Sequence, residues 1–162
     1  MTMSNDVQTP PDDHSLQIWG MNLNTYCMLL HLSQFCQAIC PGLGLIAPIV
    51  LWVVNKDKSA LVDTHGKVIL NWIISLVIYT TVLGLMMFTS LLLTAVFIGF
   101  VLIIPVTLAG LALVAAAMAF PIVGAIKANE GIVWLYPLCI PFFKVDLPDP
   151  SGNVVPANTS TF

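Results

Sequence analysis

Asp63, Lys67, Asn71 and Ser75 recur at four-residue spacing, which on a helix keeps them on one side before they drift around it. Such a stripe entering a lipid phase has two readings. As chemistry, it would hold a polar ligand, an ion or a proton, because uncompensated polar groups are costly in hydrocarbon. As structure, it is a helix capped near Asp63 whose Asn71 and Ser75 bond to neighbours, with Asp63 and Lys67 an interfacial pair contributing only ~0.3 to 0.5 kcal/mol. A second polar group surrounds His31 and Gln34: Asn24, Cys27, His31 and Gln34 fall within about 80° of one another on a helical wheel. His31 is then either a hydrogen-bonded member of an amphipathic helix or a proton relay, and His65 either orients a loop or titrates near neutral pH.

No soluble-type catalytic centre accompanies these residues. His14, His31 and His65 have no second histidine or carboxylate at ligand spacing, so no metal and no cofactor is expected. Cys27, Cys36, Cys40 and Cys139 contain no C-x-x-C pair and read as thiols outside any redox couple. There is no nucleophile elbow, and the Pro41-Gly42-Leu43-Gly44 run lacks the lysine and helix start of a phosphate cradle. The expectation is a protein that binds and packs, not an enzyme.

The elements that must position the polar residues follow from composition. The chain has 162 residues, 58% hydrophobic and 8% charged, with mean hydropathy +0.95. Soluble domains carry about 25% charged residues, so an integral membrane protein is indicated. A net charge of −3 without arginine offers no basic patch, and no nucleic-acid partner is expected. No charge occurs from 68 to 126. One crossing needs about 20 residues, so this stretch predicts a transmembrane hairpin of two helices, 68–92 and 96–126, with Pro105 and Pro121 inside the second. Upstream, the amphipathic segment 22–39 and the short apolar run 45–54 flank a proline-glycine break and predict a shallow helical hairpin; a single kinked span is the alternative. The fold class is thus an all-α integral membrane bundle of four helical segments, spanning 22–143. Residues 1–21 and 144–162 read as mobile tails, the second carrying an Asn158-Thr159-Ser160 acceptor triplet.

Small residues crowd the last long helix. Gly110, Ala112, Ala116 and Gly124, with Ala115, Ala117, Ala119 and Ala125 between them, make a face on which a helix could pack closely, either within the molecule or from a partner protein. The partners expected are therefore membrane lipids and other membrane-protein helices. All five lysines, Lys56, Lys58, Lys67, Lys127 and Lys144, fall on one side of the predicted hairpin, with Trp52, Trp72, Trp134 and Tyr136 near the same surface. The positive-inside rule makes that side cytoplasmic in the cell inner membrane, with the C-terminus and, for a shallow first hairpin, the N-terminus there too.

Several blocks resemble one bacterial family. They are His31-Leu32-Ser33-Gln34; Pro41-Gly42-Leu43-Gly44-Leu45-Ile46-Ala47-Pro48; Val62-Asp63 with His65-Gly66-Lys67 and Leu70-Asn71; Phe120-Pro121-Ile122; Ala125-Ile126-Lys127-Ala128-Asn129; and Gly131 with Tyr136-Pro137. Over 26–143 they are similar to the small membrane domain grouped with the Tic-twenty component of the chloroplast inner-envelope import translocon. The chain departs from that pattern at Thr64, Val68, Ile73 and Pro141. The resemblance implies a four-helix membrane domain and an accessory, translocon-like role, with no catalytic residue to carry over. Two other functions remain open on the residues alone: an ion or proton pathway along the polar stripe, and a lipid-binding module built on the amphipathic helix.

Overall fold

The structure, a computed structural model, describes residues 16–40, 42–94, 97–148 and 154–156. His14, Pro41, Ala95, most of both tails and the 158–160 triplet lie outside the described residues.

The chain enters through an antiparallel pair, β1 (Gln17–Ile18) and β2 (Met21–Asn22), joined by Trp19 and Gly20 at φ +54° and +77°. Two successive positive φ values give the mirror-image turn whose twist matches a two-residue hairpin. Asn22 then caps α1 (Leu23–Leu32), its side chain accepting from Thr25 N at 2.7 Å. The helix tightens into a 3-10 stretch, Ser33–Ala38, and the chain reverses at Gly42 (φ +96°) to start α2 (Leu43–Asn55). A Cβ on Gly44 would overlap the backbone oxygen of Gln34, so only glycine lets α2 cross the 3-10 stretch this closely. The pair is the expected helical hairpin, too short in either arm to cross a bilayer.

A short turn, Lys56–Lys58, leads to α3 (Ala60–Leu93), which begins eight residues earlier than the charge gap predicts. Its cap is Ser59, extended at φ −155° and accepting from Leu61 N at 3.2 Å, not Asp63, which lies inside the first turn. The helix therefore runs through the polar boundary before its charge-free part begins. Phe97 (φ +61°) opens α4 (Ile98–Asn129), which contains Pro105 and Pro121. A Cβ on Gly99 would overlap Ser90 O, so the two long helices nearly touch backbones at their turn.

With 34 and 32 residues, α3 and α4 are each roughly 50 Å long, against ~30 Å of hydrocarbon. The surplus is packed into a base. Apart from Ser90, every buried residue of α3 lies between Val62 and Ser75, and in α4 burial concentrates from Pro121 to Ala128. There Ile18, Leu23, Tyr26, Cys27, Val62 and Ala128 form one core cluster, and Val68, Trp72 and Tyr136 another. The folded unit thus reaches upstream of residue 22, since Ile18 is in its core. The rest of the hairpin is bare: the most apolar 18-residue stretches of α3 and α4 are only 6% and 11% buried. Core helices of a soluble protein would be mostly covered, so this bare apolar surface suits a membrane. The protein is an all-α membrane protein, with four α-helices among the described residues.

After Asn129 the chain leaves α4 by a Schellman closure, with Gly131 at φ +75° and Ile132 N donating to Lys127 O at 2.9 Å. Residues 132–145 are irregular, and β3 (Asp146–Pro148) pairs with β4 (Val154–Pro156).

One contact in the base is sharply testable. A Cβ on Gly66 would overlap the ring of Trp52, whose Nε1 donates to Asp63 Oδ1 at 3.0 Å and so cannot swing away freely. Gly66→Ala is expected to cost about 1 to 3 kcal/mol of stability, read as a lowered melting temperature in detergent. Gly84→Ala, which meets nothing within 4 Å, should leave it unchanged or raise it.

Candidate functional site

The last turn of α1 carries His31, α3 carries His65 in its second turn, and the irregular segment after α4 carries Tyr136. Their side chains meet in the base. Tyr136 OH lies 2.6 Å from His31 Nδ1, and His31 Nε2 lies 2.9 Å from His65 Nδ1. Gln34 Nε2 donates to Tyr136 OH at 3.3 Å. The two imidazoles stand edge to face, with centroids 5.1 Å apart and planes at 89°. Room for the junction comes from Gly124 of α4, where a Cβ would sit 2.7 Å from His31 Nδ1 and 2.8 Å from the Tyr136 hydroxyl. Trp72, Phe120 and Trp134 surround the phenol.

All three residues of the chain are buried, His31 and His65 at 0% and Tyr136 at 1% exposure. Burial holds the His31 pKa well below its ordinary 6.5, and the neighbouring His65 ring pushes the same way. Burial raises the Tyr136 phenol, the Gln34 hydrogen bond opposing and Cys139 adding to it. The cluster is therefore neutral, and its protons can be arranged in two ways. In one, Tyr136 donates to His31 Nδ1 and His31 Nε2–H donates to His65 Nδ1, leaving an N–H at His65 Nε2. In the other, both bonds reverse and a lone pair is left there. Either way His65 Nε2 ends the chain, buried without a hydrogen-bond partner among the described residues. Interchange of the two arrangements moves a proton from one end to the other, which is relay chemistry in form. Among the described residues no three His, Cys, Asp or Glu side chains are grouped to hold a metal.

The four-residue stripe is located elsewhere and is occupied by the protein itself. Asp63 and Lys67 pair at 2.6 Å, both partly exposed. Asn71 Oδ1 accepts from Phe142 N at 3.1 Å and Phe143 N at 2.7 Å, and its Nδ2 donates to Phe143 O at 2.9 Å. Ser75 Oγ accepts from Ile140 N and donates to Asn71 O, both at 2.8 Å. One further turn along α3, Tyr79 OH donates to Leu138 O at 2.8 Å. The stripe thus clamps residues 138–143 against α3.

Of the sequence-marked residues, His31, Gln34 and His65 converge, while Asp63, Lys67, Asn71 and Ser75 serve the ion pair and the clamp. Gly124 and Ala116 pack internally, whereas Ala112 is exposed and Gly110 is open on its Cβ side. Tyr136, which closes the buried chain, reads from sequence as an aromatic-belt residue and as part of the Tyr136-Pro137 block, neither of which links it to His31. It stands 105 residues from His31, beyond any spacing rule. No disulfide joins the cysteines.

Because the folded state keeps His31 neutral while the unfolded chain takes up a proton near 6.5, the unfolded state binds more protons below that value. Stability should be flat from pH 8 to 7 and fall as pH drops through the ordinary histidine range, by at most about 1.4 kcal/mol per unit from this residue. A melting series in detergent checks it, and His31→Gln should make the acid limb shallower.

No curated protein and no solved structure matches the chain. A family model does, over residues 22–143. That match corrects the resemblance to the translocon-related family, for which it gives no support. The physical reason is visible in the blocks that suggested it: His31, Gly44, Gly66, Asn71 and Tyr136 are fixed by close packing or buried hydrogen bonds, so they report a fold's internal demands and not what the fold serves. Matched over most of its length, the chain belongs to the magnetosome magnetite crystal formation protein family.

Proposed function

We propose that this protein is a non-catalytic membrane component acting where magnetite crystals form on a membrane. The observation that carries the reading is the family match over 22–143, coupled to a long hairpin whose outward surface is apolar and bare, as a membrane-embedded surface is. The hairpin anchors the molecule, and the base presents a folded unit at the membrane surface. Its open half, with Gly110 and Ala112 outward, supplies a face for other membrane-protein helices.

The lysines set the orientation in this proposal. Lys56, Lys58, Lys67, Lys127 and Lys144 all belong to the base, which the positive-inside rule puts on the cytoplasmic side of the inner membrane or of a membrane derived from it. Ile18 packs with Val62 and Ala128, which supports the N-terminal end of the described chain lying on that side as well. An ion pathway has less support, because Asn71 and Ser75 are committed to the backbone of 140–143.

The test is genetic. Deleting the gene in a magnetite-forming cell should change the size or shape of the crystals seen by electron microscopy. Wild-type complementation should restore them, whereas Leu108→Lys combined with Val114→Lys, which charges the lipid-facing surface, should not. Crystals unaltered by the deletion would overturn the proposal.

A further inference from the structure

The segment after α4 does not stay at the surface from which it starts. Its two ends are charged: Lys127 pairs with Glu130 at 2.7 Å before it, and Lys144 follows it. Between them the chain descends along α3, reverses at Leu138 (φ +62°), and climbs back, because Leu138 O is bonded to Tyr79, Ile140 N to Ser75, and Phe142 N and Phe143 N to Asn71. The order of partners, Tyr79 to Ser75 to Asn71, is a ladder read toward the lysine-bearing end.

Depth follows from the helix that carries the ladder. Lys67 keeps hydrocarbon from beginning before residue 68, and α3 ends at Leu93, so its ~20-residue crossing falls within 68–93. Wherever that crossing is set, Tyr79 stands about 8 to 16 Å inside the hydrocarbon boundary along the helix axis at ~1.5 Å per residue. Leu138 is bonded to the Tyr79 hydroxyl, which a helical side chain carries back toward the lysine-bearing end by up to about one turn, so Leu138 lies somewhat shallower than the Tyr79 backbone and still inside the boundary for most settings of the crossing. Yet Leu138 is 68% exposed and Phe142 50%, and on α3 Val77 and Ile78, next in sequence to Tyr79, are themselves exposed.

Irregular backbone survives at such depth only if its polar groups are satisfied by protein. Here Pro137 and Pro141 remove two N–H donors outright, and Asn71, Ser75 and Tyr79 serve the groups named above. We propose that residues 134–143 form a re-entrant loop inserted into the bilayer from the lysine-bearing side, its tip Leu138 in contact with lipid acyl chains. The Asn71, Ser75 and Tyr79 ladder holds the loop against α3 at 138, 140, 142 and 143 and lowers the cost of the insertion there. The proposal depends on α3 crossing the membrane and not on the family's role in crystal formation.

Site-directed spin labelling of the full chain in phosphatidylcholine–phosphatidylglycerol vesicles tests it. With Cys36, Cys40 and Cys139 replaced by alanine and buried Cys27 kept, single labels are placed by Leu138→Cys, by Leu85→Cys as a lipid reference, and by Glu130→Cys as an aqueous one. Collision with oxygen, which concentrates in hydrocarbon, is compared with collision with a water-soluble nickel chelate. Position 138 should follow position 85, with oxygen collisions exceeding nickel collisions several-fold. A nickel-dominated signal like that of position 130, or equal access to both reagents, would overturn the insertion. Tyr79→Phe and Asn71→Leu should shift position 138 toward nickel access while position 85 stays fixed. If Asn71→Leu fails to fold, Tyr79→Phe, which removes one hydroxyl, carries the comparison. An unmoved position 138 in the folded variants would overturn the ladder's role.

Discussion

Hydrocarbon cannot donate or accept a hydrogen bond, and this single property of the solvent governs where the polar groups of the chain are found. Along α3, Thr80, Thr81, Thr89 and Ser90 return their hydroxyls to carbonyls three or four residues back, so the exposed part of the helix carries polar side chains without unmet donors. Where the side chains are larger, as at Asn71 and Tyr79, the partner is a neighbouring segment. Asn71 and Ser75, which look from sequence like a waiting ligand site, are already paired, because in this solvent an unpaired group is driven to find a bond within the chain.

The molecule divides accordingly. Beyond the base, α3 and α4 hold each other through close backbone approach at Gly99 and present leucine, valine and phenylalanine outward. In the base, small residues let polar networks assemble: Gly44 lets α2 reach the 3-10 stretch, Gly66 admits the Trp52 ring, and Gly124 opens space for His31 and Tyr136. A third network, in which Asn55 Nδ2 donates to Tyr26 OH and Tyr26 OH to Leu51 O, joins α1 to α2. Chemistry-bearing side chains thus gather at one end of a scaffold whose other end is inert.

The hairpin was legible because charge is scarce: 59 residues without any leave only two crossings as a solution. The first hairpin was legible from the Cys40-to-Gly44 break and the one-sided polarity of the preceding helix. What stayed hidden has a common cause. The start of α3 depended on Ser59, since a cap is decided by backbone conformation at one residue, and Asp63 was an equally plausible candidate by type. Tyr136 and the clamp on 138–143 depend on contacts across 59 to 105 residues, for which periodicity carries no signal. Family membership was misread for a related reason, because the most distinctive blocks are those that packing constrains.

The buried His31, His65 and Tyr136 chain shows how far geometry alone can specify chemistry. Its hydrogen-bond direction is not fixed by its two internal bonds, since each has one donor and one acceptor in either arrangement. The ends must decide. At the Tyr136 end Gln34 donates to the phenol oxygen, and the phenol proton is then free to go to His31. That favours the arrangement in which Tyr136 donates, His31 passes its Nε2 proton toward His65, and His65 Nε2 carries an N–H facing no acceptor among the described residues. An unmet donor costs less than an unmet charge in this setting, so the pair is held neutral, and the same burial that prevents protonation also ties α1 to α3. The network's primary work is thus to fasten the shallow hairpin and the re-entrant segment to the spanning helices.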